Sequence, residues 1–90
     1  MNRRNFNVQT DMNEDKRVEM EQLVLEAANY SRDKNPEALA SNVKRLCDER
    51  FGGNWHCHVG PSFGSSFPYE INTYFYAEWE GLNILLYKYL

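Results

Sequence analysis

The feature that most constrains this chain is a change of hydrophobic period at Gly52-Gly53. Before it, apolar residues recur at helical intervals; after it, they recur at every second residue. A chain that switches once in this way folds as helices followed by a sheet, the α+β class. In the first half Met20, Leu23, Val24, Ala27 and Tyr30 make one stripe at helical spacing. Asp11 with Glu14 resembles a capping box and predicts a helix starting near Met12. Asn35 reads as an N-cap, with Pro36 at the first helical position, where its missing N–H costs nothing. Leu39, Val43 and Leu46 follow at helical spacing, with Ala38 and Cys47 flanking the same face. Lys44 and Arg45 point elsewhere, Arg50 suits the C-terminal end, and the glycine pair stops the helix. Ahead of both helices, Phe6 and Val8 alternate with Asn7 and Gln9 as a short first strand, and residues 1–5 are expected to be disordered.

The second half alternates. Trp55, Cys57 and Val59 fall on one side of an extended strand, and His56 and His58 on the other. After Gly60-Pro61-Ser62, a second short run places Phe63, Ser65 and Phe67 on one face and only Gly64 and Ser66 on the other. A strand so bare on one side invites a second backbone to lie against it, which suggests a pairing edge rather than a catalytic centre. Ile71 to Trp79 puts Ile71, Thr73, Phe75, Ala77 and Trp79 on one face; Glu80-Gly81 reads as a tight hairpin turn before Leu82 to Tyr89. The sheet is therefore mostly antiparallel. Its last two strands are apolar or aromatic on both faces, and two helices comfortably cover only one of them. A second copy of the chain would cover the other, predicting a homodimer; one helix on each face is the alternative.

Ninety residues make a single domain spanning 1–90. The net charge of -3 argues against a nucleic-acid partner or an anionic membrane, since both want a basic face. No apolar run approaches a membrane span, and the polar N-terminus does not resemble a signal peptide. Two cysteines, Cys47 and Cys57, are too few for a disulfide framework and point to a reduced, cytoplasmic protein. His56 and His58 project together, but Cys57 faces away, and neither a third metal ligand nor an orienting group for a Cys-His pair is near in sequence. No phosphate-loop pattern exists. Neither an enzyme nor a cofactor or metal is expected, and the histidines read as structural or interface residues.

With both halves laid out, the chain resembles the dynein light chains of the small, eight-kilodalton hub type. The residues that carry the likeness are Trp55-His56-Cys57, Val59-Gly60, Phe63-Gly64-Ser65, Glu70, Tyr76, the ending Ile84-Leu85-Leu86-Tyr87-Lys88, and the Asp11-Met12 helix start. The resemblance implies a strand-exchanged homodimer, in which the Phe63–Phe67 strand crosses to complete the partner's sheet. Two grooves then take short disordered client segments, often carrying Thr-Gln-Thr, as an added strand. The dynein intermediate chain is one such client, in a microtubule-associated complex of the cytoplasm. By the same resemblance, Ser62, Phe63, Gly64, Ser65, Ser66, Phe67, Pro68 and Tyr69 line the groove edge, with Tyr76 across from it and Glu78 beside it. His56, Phe63, Ser65, Ser66 and Phe67 lie at the dimer seam. Pro68 stands where the family usually has threonine, Ser66 and Glu78 where it has tyrosines. Pro36-Glu37 replaces a Glu-Lys pair that holds the client glutamine, although the helix start there is expected to offer N–H groups still. These departures give the alternative function: a structural paralogue, axonemal or of another cytoskeletal layer, with altered or lost Thr-Gln-Thr binding.

Overall fold

A computed structural model describes residues 6–30, 35–61, 63–65 and 68–89. Its elements run β1 (Phe6–Thr10), α1 (Glu14–Tyr30), α2 (Pro36–Phe51), β2 (Trp55–Gly60), β3 (Phe75–Trp79) and β4 (Leu82–Lys88). The strands form one antiparallel sheet in the order β1-β3-β4-β2. β3 and β4 make a hairpin in which Trp79 faces Leu82. Glu80 and Gly81 between them both have positive φ, 48° and 85°, as a two-residue turn with the right twist requires.

Register sorts the side chains. Trp55, Cys57 and Val59 align with Leu86, Ile84, Phe75 and Ala77 on one face; His56, His58, Leu85, Tyr87 and Tyr76 share the other. The first face meets Met20, Leu23, Val24 and Ala27 of α1 and Leu39, Val43, Leu46 and Cys47 of α2 in a single core. Both helices therefore cover the same side, which rules out one helix on each face. Ala38 is exposed and belongs outside the stripe. Arg50 reaches Glu26 of α1 at 3.5 Å and ties the two helices together. Within the core, the Trp55 Nε1 donor is buried without a hydrogen-bond partner, and Lys16 Nζ lies 6.0 Å from the Trp55 ring.

Two expected boundaries move. α1 begins at Glu14, not Met12, because Asn13 is its cap, with Oδ1 accepting from the Lys16 amide at 2.9 Å. Asp11 is occupied elsewhere. Its carboxylate accepts the amides of Asn72 and Tyr74, each at 3.0 Å. Residues 71–72 are thereby held in a turn, with Asn72 at φ 71°, and β3 starts only at Phe75. Ile71, expected on the inner face of that strand, is instead 83% exposed.

The α2–β2 corner is similarly fixed. Gly52 adopts φ 89°, a conformation suited to glycine, and donates its N–H to the Asp48 carbonyl. The Asp48 side chain accepts from the Trp55 amide at 3.1 Å and from Lys44 Nζ at 2.6 Å. Partial burial works against its charge, but the Lys44 hydrogen bond, the Trp55 amide and the charges of Lys44 and His56 together hold the carboxyl below the usual range.

Candidate functional site

Strand order decides where this molecule can meet another chain. β4 takes one side of β2, and β2 ends the sheet, so the other side of Trp55–Gly60 carries backbone groups that no strand among the described residues pairs. At the far end of β2 the chain turns through Pro61 and returns as Phe63-Gly64-Ser65. These three residues are in neither helix nor strand. The alternation that suggests a strand there is present, but among the described residues no strand pairs with it.

The outer sheet face beside this edge is aromatic. Phe63 meets the Tyr76 ring edge-on at 6.4 Å. Tyr87 stacks with His56 at 5.2 Å and with His58 at 5.7 Å. His56 Nε2 lies 3.1 Å from the Tyr89 carbonyl and so carries the proton to donate, while His58 Nε2 contacts the Tyr87 hydroxyl at 3.2 Å. A groove of about 460 Å³ opens between the Phe63–Ser65 segment and His58, Val59, Leu85 and Tyr87. Leu85, on this outer face, is only 1% exposed. An added Cβ at Gly64 would meet open space.

The residues singled out in the sequence fall into groups. Phe63, Gly64 and Ser65 line the groove, and Tyr76 meets the Phe63 ring beside it. His56 lies on the same outer face, next to Tyr87. Pro68, Tyr69 and Glu78 are exposed, Tyr69 packing at 5.4 Å against Tyr74. Burial first, then the charges of Tyr76, Tyr69 and Asp11, raise the Tyr74 hydroxyl above its ordinary range. Ser62, Ser66 and Phe67 lie outside the described residues. Pro36 and Glu37 open α2, and there one expectation fails. Asn35 Oδ1 accepts from both Glu37 N (3.0 Å) and Ala38 N (3.3 Å), while Leu39 N donates to the Asn35 carbonyl. Pro36 has no N–H. The helix start has no donor left to offer a client.

Sequence reasoning missed the Asp11 clamp, because its partners lie some sixty positions away. It also missed the His58–Tyr87 contact, for which the cross-strand register was the needed signal. Among the described residues no three His, Cys, Asp or Glu side chains are grouped to hold a metal ion. Burial pushes the Cys57 thiol up and the Cys47 thiol up to about 12, with Asp48 adding to the latter, so both stay protonated and poorly nucleophilic. Cys47 Sγ lies 3.7 Å from Met20 Sδ, as a packed core thiol does.

A family model, "Dynein light chain type 1", matches residues 7–89. The chain belongs to the dynein light chain family. It is a divergent member of that non-catalytic family. It is 33% identical over 81 residues to a probable cytoplasmic dynein light chain 2 of Caenorhabditis elegans, covering 89% of this chain and 87% of that one. A cytoplasmic dynein light chain of Emericella nidulans is 37% identical over 79 residues, covering 87% and 81%. Among solved structures, the dynein light chain-like domain of the Fasciola hepatica calcium binding protein FhCaBP2 superposes with a TM-score of 0.79 at 18% identity, over 97% of this chain and 94% of that one. At that identity the likeness shows the shared fold. No helix among the described residues is long and apolar enough to cross a membrane.

Proposed function

We propose that this light chain is a homodimeric peptide-binding hub, in which the segment around Phe63–Phe67 of each copy pairs with the free edge of its partner's β2. Each exchanged strand then offers its own outer edge to a disordered client segment, which adds as a further strand. Main-chain hydrogen bonds supply affinity, and side-chain pockets supply selection. The observation that carries this reading is the free edge at Trp55–Gly60. It sits next to an alternating segment that has no strand partner among the described residues of its own chain.

In this arrangement Phe63, Gly64 and Ser65, with Ser62, Ser66 and Phe67, form the exchanged strand. His56 lies at the seam, and Pro68, Tyr69, Tyr76, Glu78, Pro36 and Glu37 border the client. Two grooves align two client chains, and the second contact gains from the high effective concentration after the first. A dynein intermediate chain is one such client, in keeping with the cytoplasmic light chains of the nematode and fungal relatives. Pro68 removes a backbone donor from the end of the exchanged strand, so Pro68→Thr strengthens client binding.

Calorimetric titration with short strand-forming peptides tests the reading. One peptide per chain, with shifted amide signals over 63–69, is the expected result. Absent heat with unchanged amide signals overturns it and leaves a structural paralogue that keeps the dimer without clients.

A further inference from the structure

The sheet has two ends, and the exchange proposed above uses one of them. β1 is the other: β3 pairs with one side of it, and no strand among the described residues pairs with its outer side. Register fixes which groups that side presents. Asp11 N donates to the Tyr74 carbonyl, so Asp11 and Tyr74 form a hydrogen-bonded pair. Such pairs recur at every second residue of an antiparallel ladder. Gln9 and Asn7 therefore bond inward to β3, and the N–H and C=O groups of Phe6, Val8 and Thr10 face out. Exposed edges are ordinarily guarded by a charged side chain, a proline or a bulge. β1 has none of these: it reads Phe-Asn-Val-Gln-Thr, and it pairs with β3 residue for residue without a break.

We infer that the outer edge of β1 is a second interface, and that its occupant is β1 of another copy of this chain, paired antiparallel about Val8. In that register Val8 faces Val8, Asn7 faces Gln9 and Phe6 faces Thr10, and about six main-chain hydrogen bonds form. β1 suits its own copy in two ways. Asn7 and Gln9 are exposed on the outer sheet face, and each meets an amide that can both donate and accept. The sequence also carries Arg3 and Arg4 just before β1, and Asp11, Glu14 and Asp15 just after it. Antiparallel pairing sets the basic end of each strand against the acidic end of the other, whereas parallel pairing would set like charges together. An exchanged dimer of the kind proposed above carries two such edges, and the contact then joins dimers in rows. So short a strand buries far less than a standard interface, and the association is weak, with Kd on the order of 10⁻⁴ M.

Sedimentation equilibrium of the full chain from about 10 µM to about 1 mM, with hydrogen exchange at both limits, tests the inference. The mass is expected to rise past that of the dimer. As it rises the Val8 and Thr10 amides exchange several-fold more slowly, while those of Asn7 and Gln9 are slow throughout. Asn7→Lys with Gln9→Lys sets like charges opposite each other and weakens this association roughly tenfold; Asn7→Lys with Gln9→Glu sets unlike charges opposite and restores it. In Phe63→Asp, where the proposed exchange is blocked, the same contact takes single chains to pairs, so this inference stands or falls apart from the groove reading. A wild-type mass that does not rise across the range, or growth that is the same in both charge variants, overturns it. Val8 and Thr10 amides that slow only when a strand-forming peptide is added assign the edge to a different chain and overturn it too.

Discussion

The two faces of the sheet are built from similar residues and finished differently. On the inner face Trp55, Phe75, Ala77, Ile84 and Leu86 are sealed by two helices of the same chain. On the outer face Leu85, Tyr87, Tyr76 and the two histidines are covered only in part, by Phe63 and its irregular neighbours. One face is completed by the same chain, and on the reading proposed above the other receives a second molecule. The inner face accounts for the fold of the single chain, and the outer face and its free edge carry the proposed association.

The sharpest way to separate the two faces is to remove one buried ring from the inner side. Phe75→Ala is expected to lower unfolding free energy by about 4 kcal/mol in urea titrations, because a fully buried aromatic leaves a cavity between β3 and the helices. Phe63→Asp, on the other side, places a charge where we propose that strands are exchanged. It is expected to weaken the dimer at least about a hundredfold, roughly 2.7 kcal/mol, by light scattering, with the unfolding slope of the monomer unchanged. If Phe63→Asp unfolds the chain as Phe75→Ala does, the two faces are not separable as described.

Asp11→Ala tests the clamp that holds the turn before β3. Two amides lose their acceptor, at an expected cost of about 2 kcal/mol, and hydrogen exchange at Asn72 and Tyr74 accelerates while the α2 amides hold. The smallest effect belongs to the α2–β2 corner. Asp48→Asn is expected to cost about 1 kcal/mol at neutral pH. The Asp48 carboxyl is lowered in the folded chain, so its contribution is present above the unfolded value near 3.9 and fades as pH falls through the lower folded value. The variant and wild type therefore converge in acid, which denaturation at pH 7 and pH 3 reads directly.

Periodicity was enough to show the helical stripes, β2, the hairpin and both helix ends at α2, because each is set by residues close in sequence. It failed at Ile71–Tyr74. Alternation runs unbroken through that stretch, but Asp11, brought alongside by β1 pairing with β3, holds it in a turn. At Phe63–Ser65 alternation tells which side chains share a face and says nothing of whether a neighbouring strand exists. The helix start at Pro36-Glu37 was misread for a different reason. Asn35 is a cap, as its residue type and the following proline predict, yet capping is itself what consumes the amides expected to serve a client. At the start of α2, then, sequence identified the cap, and hydrogen-bond accounting shows what it leaves free.

The measurement that bears most directly on the free edge of β2 is sedimentation equilibrium of the wild-type chain at micromolar concentration and neutral pH. Two paired chains, each lending the Phe63 segment to the other, predict the mass of a dimer. A single 10.6 kDa species throughout would contradict it.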